Sequence, residues 1–367
     1  MKTLLLLSTL FLCSFNLTLA QQPDPSIELQ KSLDQDVADG QFAGVVVGLS
    51  VGEKELVVTA GNRDVATETP YERLTLNRIA SIAKSMTAVA TLKLYEQGKL
   101  DLDAPISTYL PNYPKRHATR ITTRMLLLHS SGIGAYESGK EAQNEVEYAS
   151  LTESATVFQD RDLVDEPGNA EHYTTYGYVV LGMVIEAVSG QTYEEYMEEH
   201  VWAVAGMDNT GVEHLTDRHE NKSSFYKRSK KGKIKLSKTN NLTNRIPGGG
   251  ILSTADDLLK FGKAILNNTF INEATTKMMW EKPGLAYDGN PYGMGWFLYG
   301  KNPKLGEMYG HTGGQTGCSS VLLLAPEKDA VMIVLSNTAL TGQHVFGIAV
   351  KELFPIAESI YSDKEGQ

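Results

Sequence analysis

Cysteine is scarce in this sequence, which limits the ways in which the chain can be cross-linked. Two cysteines occur in 367 residues, and Cys13 lies in an apolar N-terminal segment that is typical of a cleaved signal. Loss of that segment would leave Cys318 alone, so the mature chain would have no intrachain disulfide. Two interpretations of Cys318 stay open: a small buried residue, which is the commoner case, or a reactive thiol near a pocket.

Positive charge is also in deficit. The formal net charge is −10, which argues against nucleic acid as a general partner. The exception is the stretch from Lys222 to Lys238, which holds eight Lys or Arg residues and no acid. This stretch predicts a solvated hairpin around Lys231-Gly232-Lys233, and binding of an acidic polymer such as a cell-wall glycan is the alternative.

Clusters of metal-binding residues are absent from the sequence. It contains no His-Glu-x-x-His segment, and His214 and His219 lie five residues apart in a polar stretch. We therefore predict no metal site, and no other feature of the sequence calls for a cofactor.

Long apolar runs are missing beyond the N-terminus, so no later segment is predicted to span a bilayer. Residues Met1 to Ala20 combine Lys2, an apolar core from Leu4 to Leu12 and a small-residue end, a pattern typical of a secretory signal. The leucine before Cys13 argues against a lipoprotein signal. We expect cleavage after Ala20 and a secreted or periplasmic protein.

The remaining chain predicts one catalytic unit. We expect an N-terminal linker and helix start over residues 21–40, a single domain over 41–358 and a C-terminal tail over 359–367. Strand-like runs lie at both ends of this domain: Gly44–Leu49, Glu55–Thr59, Val321–Leu324 and Val331–Leu335. This order predicts an α/β fold, in which N- and C-terminal strands complete one antiparallel sheet flanked by helices, with an inserted, mainly helical region.

Several helix boundaries are predicted from local signals. A helix is expected from Ser81 to about Glu96, and another from about Tyr178 to Val188. Pro247 to Gly250 is expected to break the chain. The next helix is expected to start with Ser253 as its cap, with Asp256 three residues later. A last helix is expected to end near Phe354.

The strongest catalytic candidate is Ser81-Ile82-Ala83-Lys84, which opens an apolar stretch from Met86 to Leu94. A serine and a lysine three residues apart on a helix share one face, so the amine lies beside the hydroxyl. A lysine in a poorly solvated pocket loses affinity for its proton and can act as a base at neutral pH. This arrangement would activate Ser81 as a nucleophile.

Ser-x-x-Lys by itself is a weak signal, because a chain of this length contains it about once by chance. A second copy, Ser224 to Lys227, lies in the lysine-rich stretch with no apolar helix after it, and we interpret it as accidental. Two interpretations stay open for the first copy on its own. Ser81 is a nucleophile with Lys84 as its base, or Ser81 is only a helix cap and Lys84 a solvated residue.

Ser50 is a rival nucleophile, because Gly48-Leu49-Ser50-Val51-Gly52 matches the G-x-S-x-G pattern of α/β-hydrolases. That pattern needs a strand before the serine and a helix after it. Here strand-like runs flank the serine on both sides, which predicts a hairpin. We therefore reject Ser50 as the nucleophile.

The Ser81 segment and several later ones together resemble the serine β-lactamase and penicillin-binding-protein superfamily. The resemblance is strongest to the class C β-lactamase-like branch, which includes D-amino-acid peptidases and carboxylesterases. It covers about Asn77 to Leu335. The segments that carry it are Ile79–Ser85, Leu126–Gly132, Tyr173–Tyr178, Gly248–Asp257, Gly293–Trp296 and Gly310–Gly314.

The resemblance implies roles for individual residues. Ser81 would be the acylated nucleophile and Lys84 its proton acceptor, while Tyr173 would pass the proton to the leaving group and help to activate water. The backbone N–H groups of Ser81 and Gly314 would form the oxyanion hole. The remaining substrate-binding positions would be Thr175, His311, Thr312 and Gly313. His129, before Ser130-Ser131-Gly132, is expected to be structural, and a packing role for Tyr173 is the alternative to catalysis.

Two positions depart from the family pattern. Thr175 stands where an asparagine is usual, and it lacks the amide that would contact both the lysine and a β-lactam. We therefore expect weak β-lactamase activity or none. His311 stands where many relatives have lysine, so we expect a charge that varies with pH around neutrality.

We therefore expect a secreted serine hydrolase that forms an acyl-enzyme on Ser81. Its substrates would be small molecules or short peptides, such as amides with D-residues, peptidoglycan stem peptides or small esters. Loops around Glu137–Thr152 and Lys282–Pro291 would set the specificity. The alternatives are a penicillin-binding sensor or cell-wall binding protein with little turnover, and an inert interaction protein that keeps the fold.

Overall fold

The computed structural model describes residues 24–286, 289, 291–340 and 342–365. The predicted signal, residues 1–20, lies outside these described residues, as does the start of the predicted linker. The first described element is a helix that begins at Pro25, where the Asp24 side chain accepts a 2.9 Å hydrogen bond from the backbone N–H of Ser26.

Strands and helices alternate in blocks along the chain, with short 3-10 and π turns between some helices. The strands are β1 (Gly44–Val51), β2 (Lys54–Asp64), β3 (Thr69–Pro70), β4 (Asn77–Arg78), β5 (Gly211–Val212), β6 (Tyr226–Arg228), β7 (Ile234–Leu236), β8 (Ile251–Ser253), β9 (Phe297–Asn302), β10 (Gly306–Gln315), β11 (Cys318–Ala325), β12 (Ala330–Ser336) and β13 (Thr338–Ala339). The helices are α1 (Pro25–Ala38), α2 (Ala83–Glu96), α3 (Lys115–Ala118), α4 (Thr123–Leu127), α5 (Gly139–Ala142), α6 (Leu151–Ala155), α7 (Thr175–Ser189), α8 (Tyr193–Met197), α9 (Ala203–Ala205), α10 (Ile246–Gly249), α11 (Ala255–Leu266), α12 (Glu273–Met279), α13 (Gly342–Ile348) and α14 (Phe354–Glu365).

The main sheet has seven strands in the order β3-β2-β1-β12-β11-β10-β9. The two ends of the chain meet in its centre, where β1 pairs antiparallel with β12 and Val45 lies opposite Ser336. The predicted α/β class, an antiparallel sheet completed by N- and C-terminal strands, is confirmed. The chain between β3 and β9 supplies the mainly helical region.

Each face of this sheet covers a separate apolar core, because neighbouring residues of a strand point to opposite faces. Val46 and Leu322 pack into the core that holds α2 and α7. Their neighbours Val45 and Val321 pack under α1 and the C-terminal helices. Helix α2 is therefore buried on nearly all sides, as expected for a helix that is apolar around its circumference. None of the helices in the described ranges is long and apolar enough to cross a bilayer.

Ser50 is buried near the end of β1, beside the turn that leads into β2, and lies opposite Glu55. The predicted hairpin and the rejection of Ser50 are confirmed. The lysine-rich stretch also forms its predicted hairpin, since β6 pairs with β7 and the lysines of its turn are exposed. Lys227 lies in β6, so the second Ser-x-x-Lys copy is not helical.

Three predicted boundaries differ from the structure. Residues Ile246–Gly249 form a helical turn rather than a simple break. The cap of α11 is Thr254, whose hydroxyl accepts a hydrogen bond from the N–H of Asp257. Ser253 belongs instead to β8, because pairing with Asn77 keeps it extended. The last helix continues through Glu365, past residue 358, where we placed the end of the domain.

Candidate active site

Ser81 and Lys84 lie at the N-terminal end of the central helix. Ser81 belongs to a 3-10 turn, Ala80–Ile82, directly before α2, and no side chain caps that turn or the helix. Lys84 is fully buried. Both observations contradict the interpretation of Ser81 as a cap and of Lys84 as a solvated residue.

The amine of Lys84 is held by three oxygen atoms. Its Nζ lies 3.1 Å from Oγ of Ser81, 3.2 Å from Oγ1 of Thr175 and 2.8 Å from the carbonyl oxygen of Gly248. A neutral amine can donate to Gly248 and Thr175 while its lone pair accepts the proton of Ser81. The geometry therefore suits a base at the nucleophile.

The electrostatic surroundings favour the neutral form of this amine. Burial lowers the pKa of Lys84 well below its ordinary value, and the positive charge of Arg245 lowers it further. No acidic group offsets these effects among the causes of the shift. A lysine with a lowered pKa can accept a proton at neutral pH, which an ordinary lysine cannot.

Tyr173 lies beside the same pair. Its ring centroid is 5.0 Å from Nζ of Lys84, and its hydroxyl interacts with Ser81. Burial raises the pKa of this tyrosine, while the interaction with Ser81 opposes the rise. The residue keeps an edge in solvent, with 37% of its surface exposed. A phenol that retains its proton at neutral pH is suited to donate that proton to a leaving group.

The chain on both sides of Tyr173 is fixed by His129. The carbonyl of His129 accepts a 2.7 Å hydrogen bond from the N–H of His172, and its Nδ1 accepts one of 3.2 Å from the N–H of Thr174. The rings of His129 and Tyr173 lie 4.2 Å apart. The predicted structural role of His129 agrees with this position, but the sequence did not indicate that His129 holds the backbone around Tyr173.

His311 is buried on the opposite side of the site. Its Nε2 accepts a 3.0 Å hydrogen bond from the Tyr292 hydroxyl, and its Nδ1 lies 2.6 Å from the Thr312 carbonyl. Burial and the nearby Lys84 lower the pKa of His311 to about 3, although the Thr312 carbonyl opposes this. Our expectation of a charge that varies around neutral pH is wrong, since the ring stays neutral there.

The strand that carries His311 has a free edge at the site. Strand β10 pairs with β9 only as far as Gly310, whereas its pairing with β11 continues to Gln315. At Gly313 a Cβ atom would lie 2.5 Å from the carbonyl oxygen of Ile79, so only glycine fits beside the Ser81 turn. A Cβ atom at Gly314 would meet nothing within 4 Å. The structure thus packs the end of β10 against the 3-10 turn that holds Ser81, and the oxyanion hole is predicted between these two segments.

The Ile246–Gly249 turn was missed as part of the site. Besides Gly248, which binds the amine, Pro247 accepts a 2.6 Å hydrogen bond at its carbonyl from the Thr87 hydroxyl of α2. A Cβ atom at Gly248 would lie 2.6 Å from Cγ2 of Thr175. The Pro-Gly-Gly-Gly run was the available signal, because successive glycines permit such close backbone approach.

Cys318 is not a reactive group of this site. It is buried at the start of β11, and burial raises the pKa of its thiol to about 12. A thiol of this kind is a poor nucleophile, since the thiolate is the reactive form. In the described part of the chain, no group of three or more His, Cys, Asp or Glu side chains could hold a metal ion.

The arrangement supplies the parts that acyl transfer requires: a hydroxyl, a buried neutral amine, a protonated phenol and an open strand edge with backbone donors. The hydroxyl and the amine come from one segment, the turn before α2 and the start of α2, whereas the phenol comes from the segment before α7 and the strand edge from the end of β10. Ser81, Lys84, Tyr173 and Thr175 are brought together by the contacts above. His311, Thr312 and Gly313 flank them on β10.

Comparisons with known proteins agree with this geometry. A family model described as Beta-lactamase matches residues 29–350. The chain is 30% identical to the serine beta-lactamase-like protein LACTB, mitochondrial, of Homo sapiens, over 83% of this chain and 72% of that protein.

Two solved structures extend the comparison. A penicillin binding protein from Bacillus halodurans is 26% identical with a TM-score of 0.75, covering 88% of this chain and 99% of that one. The D-amino acid amidase from Ochrobactrum anthropi SV3, complexed with L-phenylalanine amide, is 25% identical with a TM-score of 0.79, covering 94% and 99%. With its buried Lys84 beside Ser81 and these similarities, the chain belongs to the β-lactamase family, within the serine β-lactamase and penicillin-binding-protein superfamily.

Proposed function

We propose that this protein is a serine hydrolase that forms an acyl-enzyme on Ser81 and cleaves small amides, short peptides or esters. The observation that carries the proposal is the fully buried Lys84 amine, 3.1 Å from the Ser81 hydroxyl and lowered in pKa by burial. An inert binding protein has no need for this costly arrangement, because burial of an amine opposes folding unless its hydrogen bonds are satisfied.

The residues divide the acylation step as follows. Oγ of Ser81 attacks the substrate carbonyl carbon while its proton passes to Nζ of Lys84. The carbonyl oxygen becomes an oxyanion, which the N–H groups of Ser81 and Gly314 stabilise. The bond to the leaving group then breaks, and Tyr173 donates a proton to that group and is reprotonated from Lys84.

Deacylation uses the same groups in the reverse sense. A water molecule replaces the leaving group and attacks the ester carbon while its proton passes to the neutral amine of Lys84, either directly or by way of Tyr173, which gives its own proton to Lys84 as it takes the one from water. The Ser81–acyl bond breaks, and Ser81 recovers its proton. Thr175 takes part by hydrogen bonding to Lys84, which holds the amine between the serine and the tyrosine.

For the substrate we propose amides or short peptides with D-residues, including peptidoglycan stem peptides, with small esters as the second class. The similarity to a protein named D-amino acid amidase supports the first class. Free access to the Gly313–Gly314 edge supports both, because a substrate backbone can lie beside an unpaired strand edge.

A penicillin-binding protein with little turnover is the alternative function. It is favoured by the similarity to penicillin-binding protein 4* of Bacillus subtilis, which is 26% identical over 81% of this chain and 68% of that protein. Such a protein would acylate Ser81 but would release the product very slowly.

Intact-mass spectrometry after incubation with penicillin G and, separately, a nitrophenyl ester tests the proposal. The wild type is expected to form an adduct with, or to turn over, at least one of the two compounds. Ser81→Ala is expected to do neither with either compound. Ester turnover without a penicilloyl adduct keeps the hydrolase and favours an esterase. A persistent penicilloyl adduct with no product release supports the alternative. Identical behaviour of both proteins would overturn the function.

We also propose that the protein is secreted or periplasmic after cleavage behind Ala20. The pattern of residues 1–20 is the support, since Lys2 is the only basic residue there. Mitochondrial targeting segments are rich in arginine instead. N-terminal sequencing of protein from the native host should start at Gln21, and an intact Met1 in the purified protein would refute cleavage.

A further inference from the structure

Glu171 is a carboxylate at the site that the reaction above does not use. It lies two residues before Tyr173, and its backbone N–H donates a 2.9 Å hydrogen bond to the carbonyl of Ala286. This places it between the segment that carries Tyr173 and the segment that leads to Tyr292.

The carboxylate of Glu171 lies near the site, since its negative charge raises the pKa of both Tyr173 and Tyr292. Ala170 forms a bridge with Ala286, and Thr174 has extended backbone angles, so this segment is extended at both ends. In extended chain, side chains two residues apart share a side and are separated by about 6.6 Å. Tyr173 is directed at Ser81 and Lys84, so Glu171, two residues earlier in the chain, adjoins the place where the substrate carbonyl binds.

One half of this carboxylate has no partner. The backbone N–H of Tyr292 donates a hydrogen bond to the carboxylate, whereas Oε2 is buried and accepts no hydrogen bond. Glu171 also forms no ion pair within the described residues. A buried carboxylate oxygen without a donor is costly, and a cation that reached it would remove this cost.

We propose that Glu171 binds a protonated primary amine of the substrate, carried next to the scissile carbonyl. This inference rests on the proposed function, because it assigns the substrate class of the same site. A free α-ammonium group of the acyl residue lies next to the carbonyl that Ser81 attacks, and is the cationic group of a substrate that would come nearest to Glu171. The protein would then favour amino-acid amides, amino-acid esters and peptides with a free N-terminus over N-acylated ones.

The charges around Glu171 agree with this assignment. The charge of His172 acts on the pKa of Glu171, and the charge of Glu171 acts on the pKa values of Tyr173 and Tyr292. His172 is held 2.9 Å from the carboxylate of Asp165, so it is already paired. Burial raises the pKa of Glu171 to about 6, and the carboxylate is therefore mostly ionised at pH 7, where an α-ammonium group with a pKa of about 7.7–8.0 is also mostly charged.

The test uses D-alanine p-nitroanilide and its N-acetyl derivative as paired substrates. Glu171→Gln keeps the size of the side chain and removes its charge. Glu166→Gln is the matched control, since Glu166 lies on the same segment but is exposed and paired with Arg120. For the free amine, Glu171→Gln should lower kcat/KM by about 10- to 100-fold, mainly through KM, the range that one charge-assisted hydrogen bond supplies. The N-acetyl substrate and the control variant should change less than threefold.

The pH dependence gives a second readout. Because Glu171 becomes neutral below its pKa, the preference of the wild type for the free amine should fall as pH decreases through about 6. The preference of Glu171→Gln should be flat over the same range. A purely structural Glu171 would instead lower kcat/KM for both substrates equally at every pH, and that result would overturn the inference.

Failure of the hydrolase proposal is distinguishable from failure of this one. If the wild type hydrolyses neither nitroanilide nor a nitrophenyl ester, the proposed function falls. Binding of D-alaninamide, measured by calorimetry, then tests Glu171 by itself. The two proteins compared are Ser81→Ala and the double variant that carries both Ser81→Ala and Glu171→Gln. Binding that is lost only in the double variant supports the amine site, whereas equal binding or no binding in both refutes it.

Discussion

The carbonyl oxygen of Gly248 lies 2.8 Å from the amine of Lys84, although the two residues are 164 positions apart in the chain. This contact fixes one N–H direction of the amine, and the contact to Thr175 fixes another. The Lys84 lone pair is left for the proton of Ser81. The Ile246–Gly249 turn therefore orients the base as well as covering it.

Replacement of Lys84, the proposed base, should abolish most of the activity. Lys84→Met is expected to lower kcat/KM by at least about 10²- to 10⁴-fold, the usual contribution of an acid–base group, and ester hydrolysis would measure it. Near-wild-type rates would refute Lys84 as the base.

The same variant should change how stability depends on pH. Burial holds the folded pKa of Lys84 well below its ordinary value of 10.5, so between the two values the unfolded chain binds one more proton than the folded chain. The free energy of unfolding of the wild type should therefore rise with pH across that window, relative to Lys84→Met. Urea denaturation at several pH values checks this, and parallel curves for the two proteins would mean that Lys84 is not strongly desolvated.

Tyr173 is expected to act through its hydroxyl. Tyr173→Phe keeps the ring against His129 but removes the proton donor, so kcat should fall about 10²- to 10⁴-fold with little change in KM. Tyr95→Phe is the control, because Tyr95 is exposed at the far end of α2. An equal, small effect of both substitutions on p-nitroanilide hydrolysis would indicate a packing role for Tyr173.

The two glycines of β10 should respond differently to alanine. Gly313→Ala forces a Cβ atom against the Ile79 carbonyl and should lower the free energy of unfolding by about 1–3 kcal/mol, as overpacking does. Gly314→Ala meets no atom, so its stability should change by less than about 0.5 kcal/mol. Thermal and urea unfolding measure both effects. If Gly314→Ala nevertheless lowers kcat/KM, substrate lies against that edge, whereas equal destabilisation would contradict the described backbone positions.

His311 should remain neutral across the physiological range. Its folded pKa of about 3 lies below the unfolded value near 6.5, so the unfolded chain binds more protons between those values and stability falls as pH decreases through that window. His311→Asn should reduce this loss. The ring should show no protonation above pH 5 in nitrogen-detected NMR spectra, and a titration near pH 6 to 7 would contradict its burial.

Weak turnover of β-lactams is expected from Thr175. Its hydroxyl contacts Lys84, but it has no amide with which to hold an acylamido group. Purified protein should hydrolyse cefalotin slowly or not at all in an absorbance assay, with Ser81→Ala as the background. Efficient cefalotin hydrolysis that depends on Ser81 would show that Thr175 can perform the role of the usual asparagine in β-lactam turnover.

Much of the architecture was determined by the sequence alone. The continuous apolar runs of β1, β11 and β12 predict strands that are buried on both faces of a sheet. The Ser81–Lys84 spacing predicts a nucleophile and its base, since these roles follow from the chemistry of the two residue types. The role of Tyr173 as the acid came from the resemblance to the family. Cap positions were less certain: Thr254, not Ser253, begins α11, because strand pairing with Asn77 competes for Ser253.

Only the tertiary structure decided the electrostatic state of these residues. Whether Lys84 is a base depends on its complete burial and on Gly248, Thr175 and Arg245, which come from distant segments. His311 has the sequence of a pH-sensitive residue, yet it is kept neutral by burial beside Lys84 and by its contact with Tyr292. The unpartnered oxygen of Glu171 is likewise invisible in the sequence. A pKa depends on the solvent and charges around a group, and these are fixed by packing between segments that local sequence patterns do not relate.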